Sequence, residues 1–250
     1  MTINLKGSVG AGGKNDPDDV FALKSRLIEL GFDFVKLSRE MDGDTIKTIK
    51  LFQSIKDGHN TITGDGLVEV DKDTHKWLNA SNSPSWQTMP QGTPAEGFFN
   101  VERTELSDHH DFGTGWMAAT IKEIAATYLG DHLAAHPGAA LLTINDVSLP
   151  RGGDTPDHEG HESGLACDCR LPLKDGTTPP GTTFRSGNFD QDATRAMLIA
   201  MRKHPLVTQI FFNDPDLIRE RRCKHAKGHD NHVHFEIKPP ERQDEQRKAG

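Results

Sequence analysis

Two short runs hold the residues whose types and spacing could do chemistry. The first, Gly152 to Asp168, reads GGDTPDHEGHESGLACD, and the second, Gly228 to Ile237, reads GHDNHVHFEI. Structural zinc sites close the tetrahedron with four protein ligands, usually rich in Cys, whereas catalytic sites use three and leave a position for water. His161, Asp168 and His234 supply three, so the expectation is a mononuclear hydrolase site with one Zn2+ per chain.

Strands must aim these donors. Side chains alternate between the faces of a strand, so Val233, Phe235 and Ile237 would face a core while His232, His234 and Glu236 face away. In the first run Leu165, Cys167, Cys169 and Leu171 would share the buried face, which leaves Ala166, Asp168 and Arg170 on the other. Glu162 and Glu236 are the nearest acids. The zinc-peptidase glutamate of His-Glu-x-x-His on a helix has no counterpart here, which makes His232 the better proton-transfer candidate. His109, His110 and His225 lie outside the two runs or at their edge and read as surface or loop residues.

The ordered set Ser148, Gly152, Gly153, His158, His161, Gly164, Asp168, Gly228, His229, Asp230, His232 and His234 resembles the penicillin-insensitive murein endopeptidases, within the wider lysostaphin and D-Ala-D-Ala metallopeptidase superfamily. The resemblance covers the C-terminal half of the chain. It implies a metallopeptidase that cuts peptide cross-links of bacterial peptidoglycan, with zinc on His161, Asp168 and His234 and with His232 as the catalytic histidine. His229 would be a further catalytic histidine, and His158 and Asp230 would touch substrate or support the ligands. One departure is Ala166, where the family commonly carries an acid. Competing readings are an amidase that cuts between the glycan lactyl group and the stem peptide, and a non-catalytic wall-binding protein.

Upstream, Asp16, Pro17, Asp18 and Asp19 form a helix start, with Val20, Leu23, Leu27 and Leu30 as an apolar stripe ending at Gly31. Asp42-Gly43 opens a second helix bearing Ile46, Ile49, Phe52 and Ile55. Asp71 caps a short third one with Thr74, Trp77 and Leu78. With Asp65-Gly66, these positions resemble the peptidoglycan-binding module of many cell-wall hydrolases. The expected architecture is therefore multidomain. A small all-α three-helix module spans residues 1–79, and a Ser-, Pro- and Gly-rich linker spans 80–97. An α+β metallopeptidase domain with a central antiparallel sheet spans 98–240, and a disordered tail spans 241–250. Within the third segment, helices are expected around Met117–Tyr128 and Asp190–Lys203. Strands are expected over Leu141–Ser148, Val207–Phe212 and His232–Ile237, and a long loop over Pro172–Gly187, either at the cleft in contact with substrate or solvated on the surface.

Composition narrows the partners. A net charge of -8 over 250 residues argues against nucleic acid, which needs clustered Lys and Arg. No apolar run approaches the roughly 20 residues that span a bilayer. The start, MTINLKGSVGAGG, lacks the basic and apolar regions of a secretory signal. The expectation is a protein made in the cytoplasm that reaches the periplasmic wall by another route, as a phage endolysin released by lysis or as an injected antibacterial effector. An effector would have an immunity or secretion-apparatus partner. Cys167, Cys169 and Cys223 read as buried thiols, with a bridge from Cys167 or Cys169 to Cys223 as the alternative in an oxidising compartment.

Overall fold

Local chemistry starts the first helix as its residues dictate. The Asp16 carboxylate accepts the N–H of Asp18, and Pro17 opens α1 (Pro17–Glu29), where its missing N–H costs nothing. Asp42 caps α2 (Gly43–Asp57) by accepting from Thr45, and Gly58 ends it in the left-handed conformation. The third helix, α3 (Asp73–Leu78), departs from expectation. Its capping position is Lys72, which makes no side-chain cap, while Asp71 sits at φ 58°.

The computed structural model describes residues 1–104, 109–155 and 160–244. Over these residues the protein is α+β, with six α-helices and a central five-stranded sheet. The N-terminal region is not all-α, because β1 (Val9–Gly10) pairs antiparallel with β2 (Leu67–Val68). Nor do its helices stand apart as a distinct three-helix unit. Buried side chains of this region, among them Leu23, Phe32 and Phe52, belong to the same apolar core as Ile121, Cys167 and Phe235.

Residues 80–97, expected as a linker, contain ordered structure. β3 (Trp86–Thr88), β4 (Phe98–Asn100) and β5 (Phe112–Thr114) follow α3, and β3 pairs antiparallel with β5. The Trp86 ring stacks on Phe32 at 6.0 Å and its indole N–H donates to the Pro150 carbonyl at 2.8 Å. Gly31, at φ 92°, lets the end of α1 approach this strand. A Cβ there would lie 2.1 Å from the Trp86 carbonyl oxygen. Of the expected tail, residues 241–244 are described, and they are tied back. Arg242 pairs with Asp73 at 2.9 Å, and Asp244 bridges to Ala80.

Next come α4 (Gly115–Tyr128), β6 (Leu142–Ile144), β7 (Ala166–Arg170), α5 (Gln191–Lys203), β8 (Val207–Phe211), α6 (Pro215–Arg219) and β9 (His232–Ile237). The central sheet runs β4-β6-β7-β9-β8. It is mixed and not antiparallel throughout, because β4 lies parallel to β6. α4 and α5 pack side by side and bury Met117, Ile121, Met197 and Met201. Cys167, Cys169, Val233 and Phe235 are fully buried in the core, on the face that strand alternation assigns them. That leaves the opposite face of β7 and β9 for polar residues. No described helix is long and apolar enough to cross a membrane.

Candidate metal centre

Antiparallel pairing of β7 with β9 sets Asp168 directly opposite His234, so two donors from chain-distant strands share one spot by register alone. The third, His161, arrives on the segment before β7. Its Nδ1–H donates to the Val147 carbonyl at 2.9 Å. A carbonyl only accepts, so the ring carries a proton on Nδ1, and in the neutral ring Nε2 has the lone pair that a metal would need.

The three donor atoms converge. His161 Nε2 lies 3.1 Å from His234 Nδ1 and 3.4 Å from Asp168 Oδ1, and Asp168 Oδ1 lies 2.8 Å from His234 Nδ1. Zinc–nitrogen bonds of about 2.0–2.1 Å correspond to tetrahedral edges of about 3.3 Å, close to these separations. One carboxylate and two imidazoles, all buried, thus form a group that could hold a metal ion. Its surroundings support the ligands as metal sites require. His161 is oriented by Val147, and His234 Nε2 lies 3.5 Å from the Glu236 carboxylate.

The metal-free electrostatics follow from this crowding. Burial opposes the charge on Asp168, but the surrounding histidines, His161 foremost, hold its carboxyl well below the usual range. Burial also opposes charge on His234, yet hydrogen bonds to Asp168 and Glu236 outweigh it and raise the ring to about 9. His234 is then an imidazolium at neutral pH. A raised folded-state pKa contributes stability that is fully present below the unfolded value of roughly 6.5 and is lost as pH rises through the folded one. The metal-free protein should therefore lose stability between about pH 6.5 and 9, by an amount on the order of 3 kcal/mol. Asp168 works at the other end, its contribution disappearing only as pH falls well below the ordinary carboxylate range. Urea midpoints of chelated protein across this range check the prediction; a flat profile from pH 6.5 to 9 would contradict it.

His232 stands beside the ligand group. Its Nδ1–H donates to Asn231 Oδ1 at 2.9 Å, which makes Nε2 the basic nitrogen, 3.6 Å from Asp168 Oδ2. The His229 ring lies 4.7 Å from that of His232 and 5.4 Å from that of His234. Burial lowers the His229 pKa, opposed by a hydrogen bond to the Lys227 carbonyl, so the ring is neutral at pH 7. Asp230 is placed differently. Its carboxylate accepts from Asn213 at 2.7 Å and pairs with Arg185, so it ties the Thr183–Arg185 turn to the second run and is absent from the cleft wall. His158 lies outside the described residues. Glu162 is committed elsewhere, its carboxylate accepting the N–H of Ile62 at 2.7 Å.

An open cleft of about 610 Å³ exposes the group. Its wall includes residues that sequence reasoning did not single out as site residues, Asn145, Asp146, Arg170 and Lys227, together with the Pro179–Gly181 turn from the loop expected at the cleft. Arg170 had a signal, since it shares the outward face of β7 with Asp168. Its Nε donates to Asn145 Oδ1 at 2.8 Å. Asn145 and Asp146 follow β6 and had none, because only the β6–β7 pairing brings them to the site. The three thiols are free and buried, and burial pushes the Cys223 thiol up to about 12. No protein-family model matches this chain, and no curated protein matches it.

Proposed function

We propose that the protein is a zinc-dependent peptidoglycan hydrolase, a murein endopeptidase that cleaves peptide cross-links of the bacterial cell wall as a phage endolysin or an injected effector. The observation that carries this reading is the buried His161, Asp168 and His234 group with His232 Nε2 beside it in an open cleft. The donor set is that of a catalytic zinc site, and the order of residues around it resembles the penicillin-insensitive murein endopeptidases. Zinc at such a site supplies Lewis acidity towards a peptide carbonyl and acidifies water.

The chain's own residues do the rest. Asp168 would bring one negative charge and neutral ligand rings none, so a Zn2+ ion held there would keep a net positive charge, which favours developing negative charge on a reacting oxygen. His232, with its proton fixed on Nδ1, accepts a proton at Nε2 and returns it to the leaving amine as the amide bond breaks. His229, neutral and packed against His232, limits water around that nitrogen. The basic side chains of Arg170 and Lys227 on the wall suit a peptide carrying carboxylates. The helical N-terminal region, residues 1–79, would hold the enzyme on the wall and raise the local substrate concentration.

Mass spectrometry of soluble products from purified Gram-negative peptidoglycan tests the proposal, with zinc-loaded protein against a chelated control. Conversion of cross-linked dimers to monomers only with metal supports it, and the masses name the bond. Stem peptides freed from glycan would replace it with the amidase reading. Co-sedimentation with the wall without release would replace it with a binding protein.

A further inference from the structure

A second cavity, of about 300 Å³, lies where α2 meets the Arg151–Gly153 loop, and among the described residues it shares no wall with the metal cleft. Leu51 is buried, and Phe34 and Ile62 are partly buried against the core, so the base of the cavity is apolar. The loop closes on that base through Gly152, at φ 64°. A Cβ there would lie 2.9 Å from Leu51 Cδ1 and 2.6 Å from the Glu162 carbonyl oxygen, so only glycine brings the backbone this near. The Gly153 N–H donates to the same carbonyl at 2.8 Å, and the Glu162 carboxylate accepts from Ile62 at 2.7 Å. Both walls are therefore fixed by bonds to the residue next to His161.

The rim is basic. Lys47, Lys50 and Arg151 line it against one acid, Asp44, a local excess of positive charge in a chain of net charge -8. The Arg151 guanidinium lies over the Phe34 ring at 5.6 Å and 3.9 Å from Asp44, with the two side chains 64% and 63% exposed. Such a long, solvated ion pair is weak, and an incoming carboxylate can replace it. An apolar base under a cationic rim selects an anion that carries aliphatic surface, and a volume at the lower end of ligand pockets suits one or two residues of a peptide. We propose that this cavity binds a carboxylate-bearing segment of a wall stem peptide, with the carboxylate on Lys47 and Arg151 and the aliphatic part on Leu51 and Ile62. The choice of that peptide rests on the peptidoglycan reading above. The wall presents many copies of it, so one copy held here raises the concentration of its neighbours at the metal cleft.

Backbone amide NMR shifts of the full chain with zinc present, titrated with the stem tripeptide L-Ala-D-Glu-diaminopimelate, test the site. Thr48, Gly152 and Gly153 should shift along one saturable curve, and the tripeptide with its carboxylates amidated should bind there about tenfold more weakly. Lys47→Ala combined with Arg151→Ala should weaken binding on that curve about tenfold. Both side chains are exposed, so the rest of the spectrum should stay that of wild type. Arg170→Ala, in the metal cleft, should leave the curve within about twofold. Shifts confined to the cleft, equal binding of the amidated peptide, or an unaltered curve in the double variant would each overturn the inference. Saturable shifts here without zinc-dependent cleavage of the wall overturn the enzymatic reading and leave this site standing. Cleavage without these shifts overturns this site alone.

Discussion

Replacing His161 or His234 with alanine should weaken zinc binding by more than about a thousandfold and abolish metal-dependent hydrolysis. With three protein donors, losing one leaves two, and the ion loses a bond in a site with no described substitute. Folding free energy should fall in both variants. His234→Ala removes the partner 2.8 Å from Asp168 Oδ1 and leaves a buried carboxylate short of compensation, a situation that costs about 3–5 kcal/mol. His161→Ala removes the histidine that does most to hold Asp168 ionised and should carry a comparable cost in the metal-free protein. Asp168→Asn is the informative control, since it keeps the shape and removes the charge that neutralises the ion. Chelator competition and urea denaturation on the same preparations separate the two effects. Wild-type zinc affinity in either histidine variant would remove these residues from the ligand set.

His232→Ala should behave in the opposite way, keeping zinc but losing turnover by roughly 10²–10⁴, the usual contribution of general acid–base catalysis. His232 approaches the ligand group at 3.6 Å from Asp168 Oδ2 and supplies none of the three donor atoms, and its side chain is partly exposed, so its removal leaves the three donors in place. The loss should fall on kcat more than on KM, because proton transfer belongs to the transition state. His232→Gln is a second variant of similar size that cannot take up the proton. Metal content by elemental analysis, with initial rates on a purified cross-linked muropeptide dimer, decides the matter. Full turnover in both variants would assign the proton transfer to another group.

The metal strands were legible because period-two alternation is a local signal. Val233, Phe235, Cys167 and Cys169 announced one buried face, and His234 and Asp168 therefore had to share the other. Helix starts at Asp16 and Asp42 were legible for the same reason, since an acidic cap acts on N–H groups two or three residues away. Legibility failed wherever the deciding partner is distant in sequence. β4 spans only Phe98–Asn100, too short to carry a period, and its parallel place beside β6 is a tertiary choice. The 80–97 stretch has a linker's composition, yet Trp86 and Met89 are buried because Phe32 and β5 receive them. Asn145 and Asp146, on the cleft wall, sit in a stretch with no motif at all. Asp71 misled in another way, as a plausible cap that instead occupies a left-handed turn.

The pairing of Asp168 with His234 across β7 and β9 also bears on how the protein reaches its native state. A slip of one residue in that register would rotate His234 into the core and present Val233 or Phe235 to Asp168. Metal uptake would then be lost even though the sheet's hydrogen bonds could all re-form. If the group takes up zinc as proposed, its incorporation during refolding would report correct strand alignment. It should lag behind the appearance of β-structure by the time needed to bring together segments 66 residues apart in the chain.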